Sequence, residues 1–178
     1  MNPKNQKIVI IGAPGSGKTS VIEMLIQKGY DCFPEISREV TLEARKEGID
    51  QLFLHDPILF STKLIAGRLK QYEDAKSKNL VFFDRGLPDV VAYHHYLKTD
   101  YPPSFDTICQ ENPYDVVFVL PPWKAIYTSD SVRYESFEQA EKIHENLMQT
   151  YQRFSMTPQP VPFGEVVERV AFIEQQLA

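Results

Sequence analysis

Apolar residues in this chain fall into short unbroken blocks, separated by longer stretches in which they recur every three or four positions. Lys7–Ile11, Leu80–Phe83 and Val116–Leu120 are blocks of the first kind and read as strands buried on both faces, as the central strands of a parallel sheet are. Tyr30–Phe33 is a shorter candidate. Thr157–Pro162 holds Pro158, Pro160 and Pro162, so a strand there is confined to an edge, where missing N–H donors are tolerated. The periodic stretches predict helices. Val21–Lys28 carries Val21, Ile22, Leu25 and Ile26 on one stripe and stops at Gly29. Ser37–Glu47 closes at Gly48. Asp56-Pro57 is a cap followed by a first-turn proline, opening a helix to about Lys78 along Ile58, Phe60, Leu64, Ile65 and Leu69. Pro88 opens another, to about Lys98, with Val90, Val91, His94 and Leu97 on one side. Ser136-x-x-Gln139 is a capping box before Ala140, Ile143, Leu147 and Phe154. Glu165–Leu177 buries Val166, Val170, Ile173 and Leu177. Two stretches break the pattern: Thr99–Pro113 predicts a loop with at most one helical turn at Phe105–Cys109, and the polar Trp123–Tyr134 has the place and length of a mobile lid. Strands alternating with helices predict an α/β fold with a parallel sheet, right-handed crossovers, and ligands at the carboxyl ends of the strands.

Composition narrows the partners more than the fold. A chain of 178 residues with 43% hydrophobic content suits one domain, residues 1–178. The net charge of -5 comes without a cluster of Lys or Arg, so no footprint for nucleic acid or an anionic membrane is present and small molecules are the expected partners. The run Ile8–Ile11 is too short for a membrane span or a signal peptide, and a cytoplasmic protein is expected. Cys32 and Cys109 stand alone, as reduced thiols do. His94 and His95 would point about a quarter-turn apart on a helix, and His55 and His144 lack partners, so zinc is not expected. The oligomeric state stays open, a homo-oligomer included.

The chemistry sits at the strand ends. Gly12-x-x-x-x-Gly17-Lys18-Thr19 follows the first strand and precedes a helix, the context that a phosphate-binding P-loop requires. Gly12, Ala13, Pro14, Gly15, Ser16, Gly17, Lys18, Thr19 and Ser20 form the expected nucleotide cradle. The glycines let backbone N–H groups turn toward a phosphate, Lys18 reaches the terminal phosphates, and the Thr19 hydroxyl suits Mg²⁺. Asp84, after the strand Leu80–Phe83, stands where a carboxylate meets that Mg²⁺; a turn-capping aspartate is the plainer alternative. Arg85 suits a phosphate or carboxylate of a substrate, or else pairs with Asp89 or Glu35. Glu35, just past the second strand, could take a proton from an attacking hydroxyl or orient an acceptor, with Arg38 one turn further on; alternatively both belong to a solvated first helical turn. Arg133 in the lid-like segment could close over a triphosphate, or pair at the surface with Glu135 or Asp130. Trp123 could stack on a base but more often such a residue only packs.

The segments G-A-P-G-S-G-K-T, P-E-I-S-R-E at Pro34–Glu39, F-F-D-R-G-L-P-D at Phe82–Asp89, D-S-V-R-Y-E at Asp130–Glu135 and V-V-E-R-V-A-F-I at Val166–Ile173 together resemble the NadR-like "AAA domain" family of P-loop ATPases and kinases. More distantly, the chain is similar to deoxynucleoside kinases. The resemblance implies a five-stranded P-loop kinase fold with a lid, ATP with Mg²⁺, and a lid arginine. It matches Lys18 and Thr19 to the P-loop pair, Asp84-Arg85 to the acidic-Arg pair, Glu35 to the carboxylate after strand two, and Arg133 to the lid arginine. The reading that follows is a small-molecule kinase acting on a nucleoside- or nucleotide-like acceptor. A nucleotide-dependent switch or regulatory ATPase with slow hydrolysis is the alternative, and the preference between ATP and GTP is left open.

Overall fold

The computed structural model describes residues 5–127 and 135–177. Five parallel strands, β1 (Gln6–Gly12), β2 (Asp31–Phe33), β3 (Leu80–Asp84), β4 (Val116–Leu120) and β5 (Pro158–Pro160), form one sheet in the order β2-β3-β1-β4-β5. The continuous apolar blocks are explained by burial on both faces. In β1, Val9 and Ile11 enter one core while Ile8 and Ile10 enter the other, and β3 and β4 alternate in the same way. β5 lies at the edge beside β4, with Pro158 level with Val117, as its prolines demand.

Helix α1 (Lys18–Gln27) and helix α8 (Val166–Leu177) cover one face; α2 (Ser37–Lys46), α3 (Leu52–His55), α4 (Pro57–Asp74), α5 (Leu87–Leu97), α6 (Ser104–Glu111) and α7 (Phe137–Arg153) account for the rest. The caps follow from the sequence. Leu59 N–H donates to Asp56 at the start of α4, and Ser136 and Gln139 bond reciprocally at the start of α7.

Some expectations are corrected. Thr99–Pro113 contains a full two-turn helix, α6, on which Phe105 and Cys109, one turn apart, are buried and Ile108 is partly buried against the same core. Ile26 and Leu97, placed on the apolar stripes of their helices, are 53% and 61% exposed, each near the end of its helix, and Val166 and Leu177, expected buried, are only half-buried. Among the described residues no helix is long and apolar enough to cross a membrane.

The topology locates the site. The connection after β1 runs toward β2, and the connection after β4 runs toward β5 on the opposite side, so a crevice opens between the two carboxyl ends. Gly12 is level with Leu120 there, and a Cβ on Gly12 would stand 3.0 Å from the Leu120 carbonyl oxygen.

Candidate nucleotide and acceptor site

The turn from β1 into α1 is built from left-handed glycines. Gly15 has φ 78° and Gly17 φ 81°, values that side chains rarely adopt. Neighbours also close in: a Cβ on Gly15 would meet the Tyr127 ring at 2.6 Å, and one on Gly17 would meet Arg169 Nη1 at 2.7 Å. Gly17→Ala is therefore expected to lower stability by about 1–2 kcal/mol through the forced left-handed conformation, and to weaken nucleotide binding as the loop deforms. Denaturant unfolding and ATP titration check this; unchanged stability and affinity would show that the loop relaxes freely.

Lys18, at the first turn of α1, is buried and ion-paired with Asp84 at the end of β3. The two meet because Asp84 is level with Ile10 in the sheet, just below the loop. Burial, and then the nearby Arg85 charge, push the Lys18 ammonium below its ordinary pKa, against the pull of Asp84. Thr19 and Ser20 are exposed.

The second half of the site is a carboxylate held by two guanidiniums. Glu35 accepts from Arg68 Nη2 at 3.0 Å on Oε1 and 3.3 Å on Oε2, and from the Ser37 N–H at 2.9 Å on Oε1. Arg85 Nε stands 2.6 Å from Oε2 in an ion pair, without an aligned N–H. Burial alone would raise the Glu35 carboxyl, but Arg68, Arg85 and the Ser37 N–H hold it down at about 2. Of the two pairings open to Arg85, the structure takes Glu35; its Nη1 donates to the Tyr93 hydroxyl at 3.2 Å. Arg85 has φ 71°, an outlier for a side-chain-bearing residue, at the junction of β3 and α5. Asp89 instead accepts from the Gly86 N–H at 2.9 Å and from the Tyr151 hydroxyl at 2.6 Å, which ties the start of α5 to α7.

Arg38 is exposed in the first turn of α2. Arg133 lies outside the described residues, as does most of the segment read as a lid. The described start of that segment packs on the P-loop, with Tyr127 over Gly15 and Ile126 against Gly17. Trp123 stacks on Phe163 with centroids 5.1 Å apart.

Two arginines at the site escaped the sequence reading. Arg68 is 4% exposed and also donates to the Gly86 carbonyl at 2.9 Å. Arg169 is 2% exposed, donates to the Ser16 carbonyl at 3.1 Å and sits over the Trp123 ring. Burial lowers its pKa, and among the described residues no carboxylate pairs with it. Both carried a signal: each interrupts a buried stripe, Arg68 between Leu64, Ile65 and Tyr72 on α4, and Arg169 beside Val170 and Ile173 on α8.

Two cavities flank the chain leaving β4. One of about 340 Å³ is bounded by Gly15, Gly17, Trp123, Ile126, Glu165 and Arg169. The other, about 350 Å³, is lined by Pro121, Pro122, Glu141, His144 and Glu145. The thiols stand apart from this chemistry: burial raises Cys32 to about 11 and Cys109 to about 12.

The profile of a protein family described as an AAA domain matches residues 7–169. No curated protein matches the sequence. Among solved structures, the chain is similar to deoxyadenosine kinase from M. mycoides, solved with the products dCMP and a flexible dCDP bound, at 19% identity and a TM-score of 0.65 over 97% of this chain and 98% of that one. It is also similar to a NadR protein in complex with NR, at 18% identity and a TM-score of 0.69, over 97% of this chain but only 50% of the other. NadR with NAD and AMP-PNP gives 19% identity and a TM-score of 0.62, covering 95% and 48%. At these identities the likeness shows the fold, a P-loop kinase arrangement, and the chain spans about half of the NadR protein.

Proposed function

The chain belongs to the AAA-domain family, and from that premise we propose that it is a kinase that transfers the γ-phosphoryl group of ATP to a hydroxyl of a nucleoside-like acceptor. The observation that carries this reading is the placement of Glu35, an ionised carboxylate held by Arg68 and Arg85, beside the Lys18–Asp84 pair of the P-loop. The loop amides and Lys18 bind the donor phosphates, and the cavity at Trp123 and Arg169 takes the donor base. Thr19 and Asp84 offer the hydroxyl and carboxylate oxygens that suit Mg²⁺. An ion there would be held mainly by phosphate and water, as Mg²⁺ commonly is at nucleotides. Bound there, Mg²⁺ would neutralise phosphate charge.

On the acceptor side, a carboxyl held at about 2 is a weak base. Glu35 therefore orients the acceptor hydroxyl by accepting its hydrogen bond. The acceptor oxygen forms the new bond to phosphorus, the bond from the γ-phosphorus to the β–γ bridging oxygen breaks with its electron pair leaving on ADP, and the hydroxyl proton passes to water. Charge selects the acceptor class. Arg68 and Arg85 are both committed to Glu35, so neither of these guanidiniums is free to take an acceptor phosphate, and a nucleoside suits the site better than a nucleotide. The dCMP bound to the similar deoxyadenosine kinase is a product, a nucleoside monophosphate of the kind that phosphorylation of a nucleoside hydroxyl yields.

The test is incubation with ATP-Mg²⁺ and a panel of nucleosides, nucleotides and ribosides, with product identified by mass. Phosphorylated nucleoside is expected. A blank across the panel accompanied by acceptor-free hydrolysis would overturn the kinase reading in favour of a regulatory ATPase.

A further inference from the structure

Helix α4 turns a buried face toward the sheet with Ser61, Leu64, Ile65 and Tyr72, and in the middle of that face it places a guanidinium. Arg68 bridges two strand ends at once: Nη1 donates to the Gly86 carbonyl after β3, and Nη2 to Glu35 after β2. Taking such a pair out of water costs free energy, and well-packed apolar residues at such a position often serve stability as well or better. Stability of the core therefore does not account for an arginine here. What a planar, two-armed donor provides is fixed geometry between Gly86 and Glu35, which a leucine or a lysine cannot reproduce.

The bond pattern on Glu35 sharpens this. Oε1 is filled by Arg68 Nη2 at 3.0 Å and the Ser37 N–H at 2.9 Å. Oε2 has only the longer 3.3 Å contact with Arg68 and the unaligned Nε of Arg85. We infer that Arg68 is a positioning residue for phosphoryl transfer, which locks Oε1 of Glu35 and the Gly86 carbonyl so that Oε2 and the Arg85 guanidinium face the acceptor hydroxyl as a fixed pair. The inference rests on the kinase reading for its consequence in turnover, but not for its effect on Glu35 itself.

The charged groups acting on Glu35 are Arg68 from α4, Arg85 from the β3–α5 junction and Lys18 from the P-loop, with Asp89 acting in turn on Arg68. With Arg68 neutralised, Arg85 and Lys18 remain but burial still disfavours the carboxylate, so Glu35 titrates at higher pH.

The experiment compares wild type with Arg68→Lys and Arg68→Met in the full chain. ATP-Mg²⁺ affinity, read by calorimetry, is expected within about twofold of wild type because the donor side is untouched, while kcat falls about 100-fold from misplacement of the acceptor pair. The acid limb of kcat should move to higher pH in Arg68→Met and less in Arg68→Lys, which keeps a charge. Carbon NMR of the Glu35 carboxyl gives a readout independent of turnover, with an upward shift of its titration in Arg68→Met. A wild type that phosphorylates nothing while that titration still shifts would sink the kinase reading and leave the clamp standing. Wild-type kcat and an unmoved titration in a folded Arg68→Met protein would overturn the inference. Should Arg68→Met fail to fold, the double variant Glu35→Gln with Arg68→Met removes both charges. Refolding of the double variant, together with a loss of kcat in Arg68→Lys, supports the clamp; wild-type kcat in Arg68→Lys overturns it.

Discussion

Lys18→Met should reduce phosphoryl transfer by about 100- to 1000-fold, the range seen when a preorganised charge at a developing anion is removed. Two losses combine. The ammonium that meets the terminal phosphates disappears, and Asp84 loses the ion pair that joins it to Lys18 across the site. Affinity for ATP-Mg²⁺ should fall together with turnover, since the lysine acts on ground state and transition state alike. Calorimetry with steady-state kinetics separates the two. A Lys18→Met protein that binds ATP-Mg²⁺ as wild type does and still turns over would remove the P-loop from the proposed chemistry. A companion variant, Lys18→Met with Asp84→Asn, should lose further affinity for ATP-Mg²⁺, since it also removes the carboxylate proposed for Mg²⁺, and should not recover turnover.

The second large effect concerns Glu35 and depends on pH. Its carboxyl is held at about 2, against an ordinary 4.5. A depressed pKa means that the folded state favours the ionised form, so this stabilisation is fully present above pH 4.5 and is lost as the pH falls toward 2. Each tenfold change in proton affinity between the folded and unfolded chain corresponds to about 1.4 kcal/mol, which puts the contribution on the order of 3 kcal/mol at neutral pH. Glu35→Gln should therefore be less stable than wild type by roughly that amount at neutral pH, with Arg68 and Arg85 left facing a neutral amide, and the gap should close as the medium is acidified. Urea unfolding of both proteins at neutral pH and near pH 3 checks the slope. An equal gap at both values would mean that Glu35 acts through shape and hydrogen bonding, not charge. Its turnover should also fall, because an amide presents an N–H donor or a weaker acceptor to the hydroxyl that the carboxylate orients.

These two residues also show how far the sequence can be read. Lys18 lies in a motif whose spacing, strand and helix are contiguous, so its place at the loop was legible directly. Glu35 was legible only as a carboxylate after a strand. Its partner on α4 was not, because periodicity counts apolar positions and passes over an arginine that occupies one of them. Arg169 was missed for the same reason. The helix Ser104–Glu111 was expected as one turn at most, because three apolar residues over two turns fall below what a period can establish. The exposed Ile26 and Leu97 err the other way: a stripe says which face of a helix is apolar, and only the neighbouring elements decide how much of that face is covered.

By itself, then, the sequence determined what local patterns carry: strands buried on both faces, the edge position of a proline-rich strand, the caps of α4 and α7, and a glycine turn shaped for phosphate. The tertiary structure decided which partner each buried charge meets. Lys18 with Asp84, Glu35 with Arg68, and Ser16 with Arg169 are separated by 66, 33 and 153 residues. No period or spacing links positions so far apart. They meet because the strand order β2-β3-β1-β4-β5 brings the ends of β1, β2 and β3 to one rim and lays α4 and α8 against it, and burial there leaves each charge dependent on the partner that the fold supplies.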